Sequence, residues 1–295
     1  MLGSFGLNLL VAKVLILPYL CAMQRPQISV VISTYNALEW LKKVLWGYAQ
    51  QSFTDFELVI ADDGSGSDTA DYIQEFAQES GLSIQHIWQE DEGFQKSRIL
   101  NKALTACRAD YVVMSDGDCI PREDFLAVHH EHRTPGYFLS GGYFMLPMET
   151  SKAIDKSAIV SGICFEKSWL LEKGMRSNFK FRKLTAGKRL AKVLNAITPT
   201  NASWNGHNAS GWKADLIAIN GFDERMQYGG QDRELGERLM NCGIKSKQIR
   251  YSAVCIHLDH PRGYKNQTSI DKNRAIRQAT RGEKRVWTDF GIVKK

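Results

Sequence analysis

A chain of 295 residues, 43% hydrophobic and 24% charged, is long enough to bury a full core and too ordinary in composition for a disordered segment or a repeat array. Its six cysteines, at positions 21, 107, 119, 164, 242 and 255, form no Cys-x-x-Cys pair, which argues against a zinc ribbon or disulfide scaffold and fits a reducing compartment. The net charge of +6 is uneven: eight Lys/Arg and no acid lie between Lys173 and Lys192, and a second basic cluster runs from Arg262 to Arg285. Such clusters suit phosphate-rich partners, the plainer reading being a solvated helix face.

Leu7 to Met23 is apolar but interrupted by Lys13 and Pro18, short for a spanning helix, and without a cleavage motif. It reads as a peripheral or dispensable extension, with a membrane anchor as the alternative. Ile28–Ile32 is a β-branched run closed by Ser33-Thr-Tyr-Asn36, a buried parallel strand. Helical spacing follows over 37–51, then a strand from Phe56 to Ala61 ended by Asp62-Asp63-Gly-Ser-Gly66. Asp68 is expected to cap a helix to Glu79; a strand at Ser83–Trp88, a helix at Ser97–Cys107 and a strand at Asp110–Met114 complete the alternation. This pattern predicts an α/β fold, a mostly parallel sheet with helices on both faces. Further on, Tyr137–Leu146 is expected as one strand, 150–195 as basic helix, Gln231–Cys242 as a helix with Leu235 and Leu239 inward, and Tyr251–Ile256 as the last strand. The expected division is an extension to residue 25, a nucleotide-binding half over 26–121, an acceptor half over 122–261 and a basic tail over 262–295.

Ligands of such sheets sit at the carboxyl ends of strands, where three polar clusters fall: Ser33–Asn36, Asp62-Asp63 and Asp116-Gly-Asp118. Two carboxylates either side of a glycine turn suit Mg²⁺ or Mn²⁺ bridging substrate phosphates, although Asp and Gly are also ordinary turn residues. Of Asp62 and Asp63, one serves the turn and the other, Asp63, accepts ribose hydroxyls. Asp232, opening a helix after Gly229-Gly230, can act as a general base, the alternative being helix capping. His257 at a strand exit can complete a metal site or be structural. Trp204 and Trp212, beside Asn205–Gly211, suit sugar stacking or the core. No G-x-G-x-x-G follows the first strand, which counts against a dinucleotide enzyme.

Taken in order, Ile28–Asn36, Ala61–Ser65 and Asp116–Asp118 resemble the nucleotide half of family 2 glycosyltransferases with the GT-A fold. Asp91–Phe94 through Arg98–Ala103 resembles the segment between donor base and sheet. Asn205–Asn208, Asn220–Asp223, Gly229–Asp232 and His257–Pro261 resemble a carboxyl-terminal region shared with galactosyltransferases and with bacterial polysaccharide and lipopolysaccharide enzymes. The resemblance implies a GT-A (Rossmann-like) sheet and an inverting transfer from a nucleotide sugar, UDP-linked, to a saccharide or lipid-linked acceptor. It implies Ser33 and Asp63 on the uracil and ribose, Asp116 on ribose or metal, and Asp118 and His257 on Mn²⁺ or Mg²⁺. Arg98 is implied as a basic donor contact, Asp232 as the base and Gln231 as an acceptor contact; Trp212, read from its aromatic ring alone, is the further expected acceptor contact. Gln231 stands where relatives carry Glu, which puts the acceptor in question.

The basic stretch 173–192 is read as holding a cytoplasmic enzyme peripherally on the anionic inner face of a membrane. The rival reading is a non-catalytic basic protein binding membranes or nucleic acid. It accounts for neither the strand-end Asp-Gly-Asp nor the late Asp-bearing helix, so a nucleic-acid partner is not expected. A nucleotidyltransferase is disfavoured because no Gly-rich phosphate loop opens the chain.

Overall fold

The computed structural model of the protein describes residues 25–261 and 266–294. The apolar extension up to residue 24 and Arg262, at the head of the second basic cluster, lie outside the described residues.

Three apolar runs, β1 (Ile28–Thr34), β2 (Phe56–Asp62) and β4 (Tyr111–Asp116), form the parallel block at the heart of the molecule, with the more polar β3 (Ile84–Trp88) at its edge. The seven-stranded sheet has the order β3-β2-β1-β4-β8-β6-β9. Its second half is β8 (Ala209–Trp212), antiparallel to both β4 and β6 (Tyr137–Ser140), and β9 (Lys245–Gln248), parallel to β6. Side chains alternate across a strand, and the two cores separate accordingly. Val30, Ile32, Leu58, Ile60 and Val113 pack beneath α1 (Leu38–Tyr48), against Leu41, Val44 and Leu45. Val31, Val59, Val112 and Met114 pack on the opposite face against Ile99, Leu100 and Ala103 of α3 (Lys96–Ala106). Strands buried on both faces explain why these runs are continuously apolar rather than alternating. Each fully buried Leu, Ile or Val contributes about 1.5–3 kcal/mol.

Helix α2 (Ser67–Ser80) has Gly66 at its N-cap, two residues before the expected cap Asp68. Asp62 Oδ1 closes the preceding loop by accepting from Ser65 N at 2.8 Å. Asp68 therefore stands in the first turn, where its charge still suits the helix dipole.

The stretch expected as one strand over 137–146 is two. Chain direction breaks at Gly141, because Gly141 N donates to Asn208 O at 2.8 Å and the Asn208 side chain fills the space a Cβ would need. The second half, β7 (Gly142–Met145), joins a small separate sheet of order β5-β10-β7 with β5 (Cys119–Pro121) and β10 (Val254–His257). The last strand thus begins later than Tyr251, after a turn in which Ser252 N and Ala253 N both donate to Ile249 O.

The remaining helices are α4 (Phe125–His132), α5 (Met148–Ala153), α6 (Lys156–Val160), α7 (Lys167–Glu172), α8 (Arg182–Thr185), α9 (Lys188–Ile197), α10 (Lys213–Ala218), α11 (Gln231–Asn241) and α12 (Gln267–Gly282). Leu235 and Leu239 of α11 are buried as the spacing requires. Helix α12 packs along α11 through Arg277 and Glu237 and through a Thr280–Glu234 hydrogen bond.

Candidate functional site

A pocket of about 1100 Å³ opens at the carboxyl ends of β1, β2 and β4, where the crossover pattern of an open α/β sheet places ligands. Ser33, Asp63, Asp116, Asp118, Gln231, Asp232 and His257 all line it. Five chain regions, from Ser33 to His257, therefore converge on one cavity.

The Asp116-Gly-Asp118 turn is held tightly. Gly117 N donates to Ser33 O at 2.8 Å, and a Cβ on Gly117 would stand 2.9 Å from that same oxygen, so the turn needs glycine. Asp116 Oδ1 accepts from Ser33 Oγ at 2.8 Å and from Lys96 Nζ at 2.7 Å. Burial pushes the Asp116 carboxyl up, but the Lys96 ammonium outweighs it and holds the group well below the usual carboxylate range. Burial likewise acts to lower Lys96, and Asp116 and then Asp232 more than offset it, so this lysine stays cationic.

Asp118 meets β10 from the other side. Leu258 N donates to Asp118 O at 2.9 Å, and the antiparallel pairing places His257 opposite Cys119. His257 Nε2 lies 3.8 Å and His260 Nε2 3.0 Å from Asp118 Oδ2, the two imidazoles stacked with centroids 5.9 Å apart. The ligand atoms of Asp118, Cys119 and His257 all fall within 4.8 Å of one another. A carboxylate and an imidazole on one point fit a divalent metal ion. The His257 Nδ1 contact to Leu258 O at 2.8 Å leaves Nε2 facing Asp118.

The Asp62-Asp63 pair divides its work. Asp62 is fully buried, bonded to Ser65 N and to His86 Nε2. Asp63 reaches the pocket while accepting from Gln89 Nε2 and Gln95 N, and burial raises its pKa. Tyr35, half exposed at the pocket mouth, donates to Asp91 Oδ2 at 2.8 Å.

Asp232 stands on the first turn of α11. Two residues on, Glu234 points the other way into a buried ion pair with Arg238, as the helical period dictates. Asp232 Oδ1 is buried with no hydrogen-bond partner among the described residues. Burial raises its pKa to about 6, against the opposing pull of Lys96. A solvent-shielded carboxylate with an unengaged oxygen, facing a cavity, is placed to take a proton. The loop before it is pinned by Asn273 of α12, whose Nδ2 donates to Gln227 O, Tyr228 O and Gly229 O at 3.0–3.2 Å. Gln231 Oε1 accepts from Gly229 N at 3.0 Å, so this amide braces the same loop while lining the pocket.

Two expected site residues lie elsewhere. Arg98 turns outward to pair with Glu92 at 2.6 Å, and Lys96 occupies the pocket in its place. Trp212 pairs in register with Tyr111, at the amino end of β4, the end remote from Asp116. Trp204 is fully buried against Phe138 in the core. Asn208, within a glycosylation triplet, is likewise fully buried, its Nδ2 bridging Gly142 O and Ala253 O between the sheets. Lys96 and His260 also line the pocket, and sequence reasoning gave neither a role.

Residues 29–132 match the family model for glycosyl transferase family 2. Along most of its length the chain is similar to an uncharacterised glycosyltransferase, YfnE, of Bacillus subtilis, at 25% identity over 84% of this chain and 68% of that protein. It is similar to the chondroitin synthase of Escherichia coli at 28% identity over 82% of this chain, but spans only 36% of that synthase. Among solved structures, a mannosyltransferase from Pyrobaculum calidifontis in complex with GDP-Man and Mn²⁺ superposes with a TM-score of 0.55, at 18% identity over 89% of this chain and 64% of that one. Staphylococcus aureus TarS 1–349 in complex with UDP-GlcNAc superposes at 0.51, with 15% identity over 81% of this chain and 60% of that one. The two structural likenesses show the GT-A fold described above, and the match to glycosyl transferase family 2 covers β1 to α4.

Proposed function

We propose that the protein is an inverting transferase that moves a sugar from a UDP-sugar to a saccharide or lipid-linked acceptor in cell-surface polysaccharide or lipopolysaccharide assembly, working peripherally at the inner face of the membrane. The observation that carries this reading is the convergence of Asp63, Asp116, Asp118, Lys96 and Asp232 on one pocket. In it, Asp63 and Ser33 face the nucleoside, and Lys96 supplies a fixed positive charge toward the diphosphate. Asp118 and His257 would hold the divalent ion, which when bound neutralises charge on the departing nucleoside diphosphate.

Asp232 removes the proton from the acceptor hydroxyl as its oxygen attacks the anomeric carbon. The new carbon–oxygen bond forms as the bond to the phosphate oxygen breaks, and the nucleoside diphosphate leaves with that electron pair. One displacement inverts the anomeric configuration and needs no second nucleophile. Neighbours of the same fold are seen with UDP-GlcNAc and with GDP-Man, so the base is the point to test.

Thermal shift with UDP, GDP, TDP and CMP, each with and without Mn²⁺, tests it, since a ligand of the native state raises the melting temperature. Mn²⁺-dependent stabilisation by UDP alone is expected. A shift with GDP instead would replace the donor, and no shift with any nucleotide would remove the reading.

A further inference from the structure

The basic segment that the sequence marks out is not uniformly a charged surface. Lys183 turns inward, its Nζ donating to Tyr143 O at 2.8 Å over the Tyr143 ring, and burial lowers its pKa to about 8. Arg176, Lys180, Arg182, Lys188, Arg189 and Lys192 are exposed. Among them, helix α9 carries a second feature. It is fixed to the body by buried Ala191 and by Asn195, which accepts from Tyr251 N and donates to Ser252 Oγ. Its outer side presents Leu190, Val193 and Ile197 at 51%, 52% and 67% exposure. At about 100° per residue these three fall within roughly 60° of arc, one continuous apolar row. Arg189 borders that row, with Lys188 and Lys192 further round the helix.

We infer that this face of α9 is a membrane-insertion surface, the apolar row entering the headgroup boundary of an anionic bilayer while the bordering Arg189 lies among the lipid phosphates and Lys188 and Lys192 add attraction at longer range. An apolar row beside basic side chains is the pattern of an interfacial helix, and long basic side chains reach the headgroup level from such a position. Charge selects the occupant. Between Lys173 and Lys213 the chain has no acid, so a second copy laid on this face would oppose like charges. Residues 1–24 are apolar, but they hold Lys13 and no acid, and so offer nothing to the basic side chains. A nucleic acid would answer the charge and leave the apolar row in water.

The basic segment also touches the small sheet that carries His257. The segment sits on β7 through Lys183–Tyr143 and through Phe181 against Phe144, ring centroids 4.9 Å apart. Strand β7 in turn pairs with β10, Met145 opposite His257. Helix α9 itself is anchored before the other end of β10, through Asn195 to Tyr251 and Ser252. The inference deepens the peripheral-membrane part of the proposed function and is independent of its donor chemistry.

Co-sedimentation of the full chain with phosphatidylcholine vesicles, with and without phosphatidylglycerol, tests it. The wild type is expected to sediment only when phosphatidylglycerol is present. The variants Leu190→Ser/Val193→Ser/Ile197→Ser and Lys188→Gln/Arg189→Gln/Lys192→Gln should each lower partitioning by about tenfold or more, with thermal melts matching the wild type because the replaced side chains are exposed. Wild-type partitioning of the apolar variant would overturn the inference, even if the charge variant were impaired. Sedimentation with phosphatidylcholine alone, or none with either vesicle, would overturn it too. Loss of nucleotide stabilisation with vesicle binding intact would strike the donor reading and leave this one standing.

Discussion

Lys96 Nζ and Asp116 Oδ1 are 2.7 Å apart within the pocket, while Arg98, one helical position pair further along α3, points to Glu92 outside it. Positions two apart on a helix diverge by about 200°, so only one of the two cations can serve the cavity. Hydrogen bonds to charged groups are worth about 1.5–3 kcal/mol, and exposed pairs such as Arg98–Glu92 about 0–1 kcal/mol. Lys96→Met should therefore weaken UDP binding in Mn²⁺ by about tenfold or more, and Arg98→Met by about twofold or less. Isothermal calorimetry measures both; equal losses would return Arg98 to the donor site.

The raised pKa of Asp232 predicts a trade between stability and turnover. An unfolded aspartate titrates near 3.9, whereas burial brings this one to about 6. The native state thus binds the proton more tightly than the unfolded chain does. Stability from this group is complete below about pH 4 and is lost as pH rises through 6. Asp232→Asn removes the buried charge, so at neutral pH it should raise stability by on the order of 1–3 kcal/mol, a gain of a few degrees in melting temperature. Turnover should vanish in the same variant while nucleotide binding persists. In the wild type, transfer should fall with acid through about pH 6. An Asp232→Asn variant that is less stable at pH 7.5 but level with the wild type at pH 4 would reverse the sign and refute the buried-charge account.

What the sequence made legible follows from how local each cue is. The runs at Ile28, Phe56 and Tyr111 declare buried strands because they are apolar on both faces, and the clusters after them necessarily fall at strand ends. Lys96 was hidden because helical phase decides between 96 and 98, and phase depends on a start that differs by one residue from the expected Ser97. His260 was hidden because its approach to Asp118 depends on how the chain leaves β10. Trp212 was misplaced because its position rests on an antiparallel register, Trp212 opposite Tyr111, that no local pattern encodes.

The two tryptophans near Asn205 are consequently expected to behave differently from sugar platforms. Trp204 is fully buried, wedged beside Gly236, where a Cβ would stand 2.8 Å from its own. Trp204→Ala should cost about 3–5 kcal/mol of stability by chemical denaturation, as cavity-forming Trp losses do. Trp212→Ala, losing an edge contact to Tyr111 and a 3.2 Å bond to Thr134 O, should leave acceptor KM unchanged. A raised acceptor KM with normal stability in Trp212→Ala would put that ring back in the site.

Asn273 offers the sharpest separation of positioning from binding. It is fully buried on α12, far along the chain from the pocket, yet its Nδ2 gathers three consecutive carbonyls from the loop that delivers Asp232. That loop ends in Gly229 and Gly230, both at positive φ, a conformation that holds Gln231 and Asp232 at the helix start. Removing the amide leaves buried acceptors unpaired, at about 1–3 kcal/mol, and frees the loop. Asn273→Ala should lower kcat by about tenfold or more while leaving the Mn²⁺-dependent UDP affinity within about twofold, because the groups proposed to face the nucleotide stand on β1, β4 and α3 and just after β2. Asn273→Ser, which keeps one donor, should recover part of that rate. A variant that lost UDP affinity and kcat together would show that α12 supports the whole pocket rather than the base.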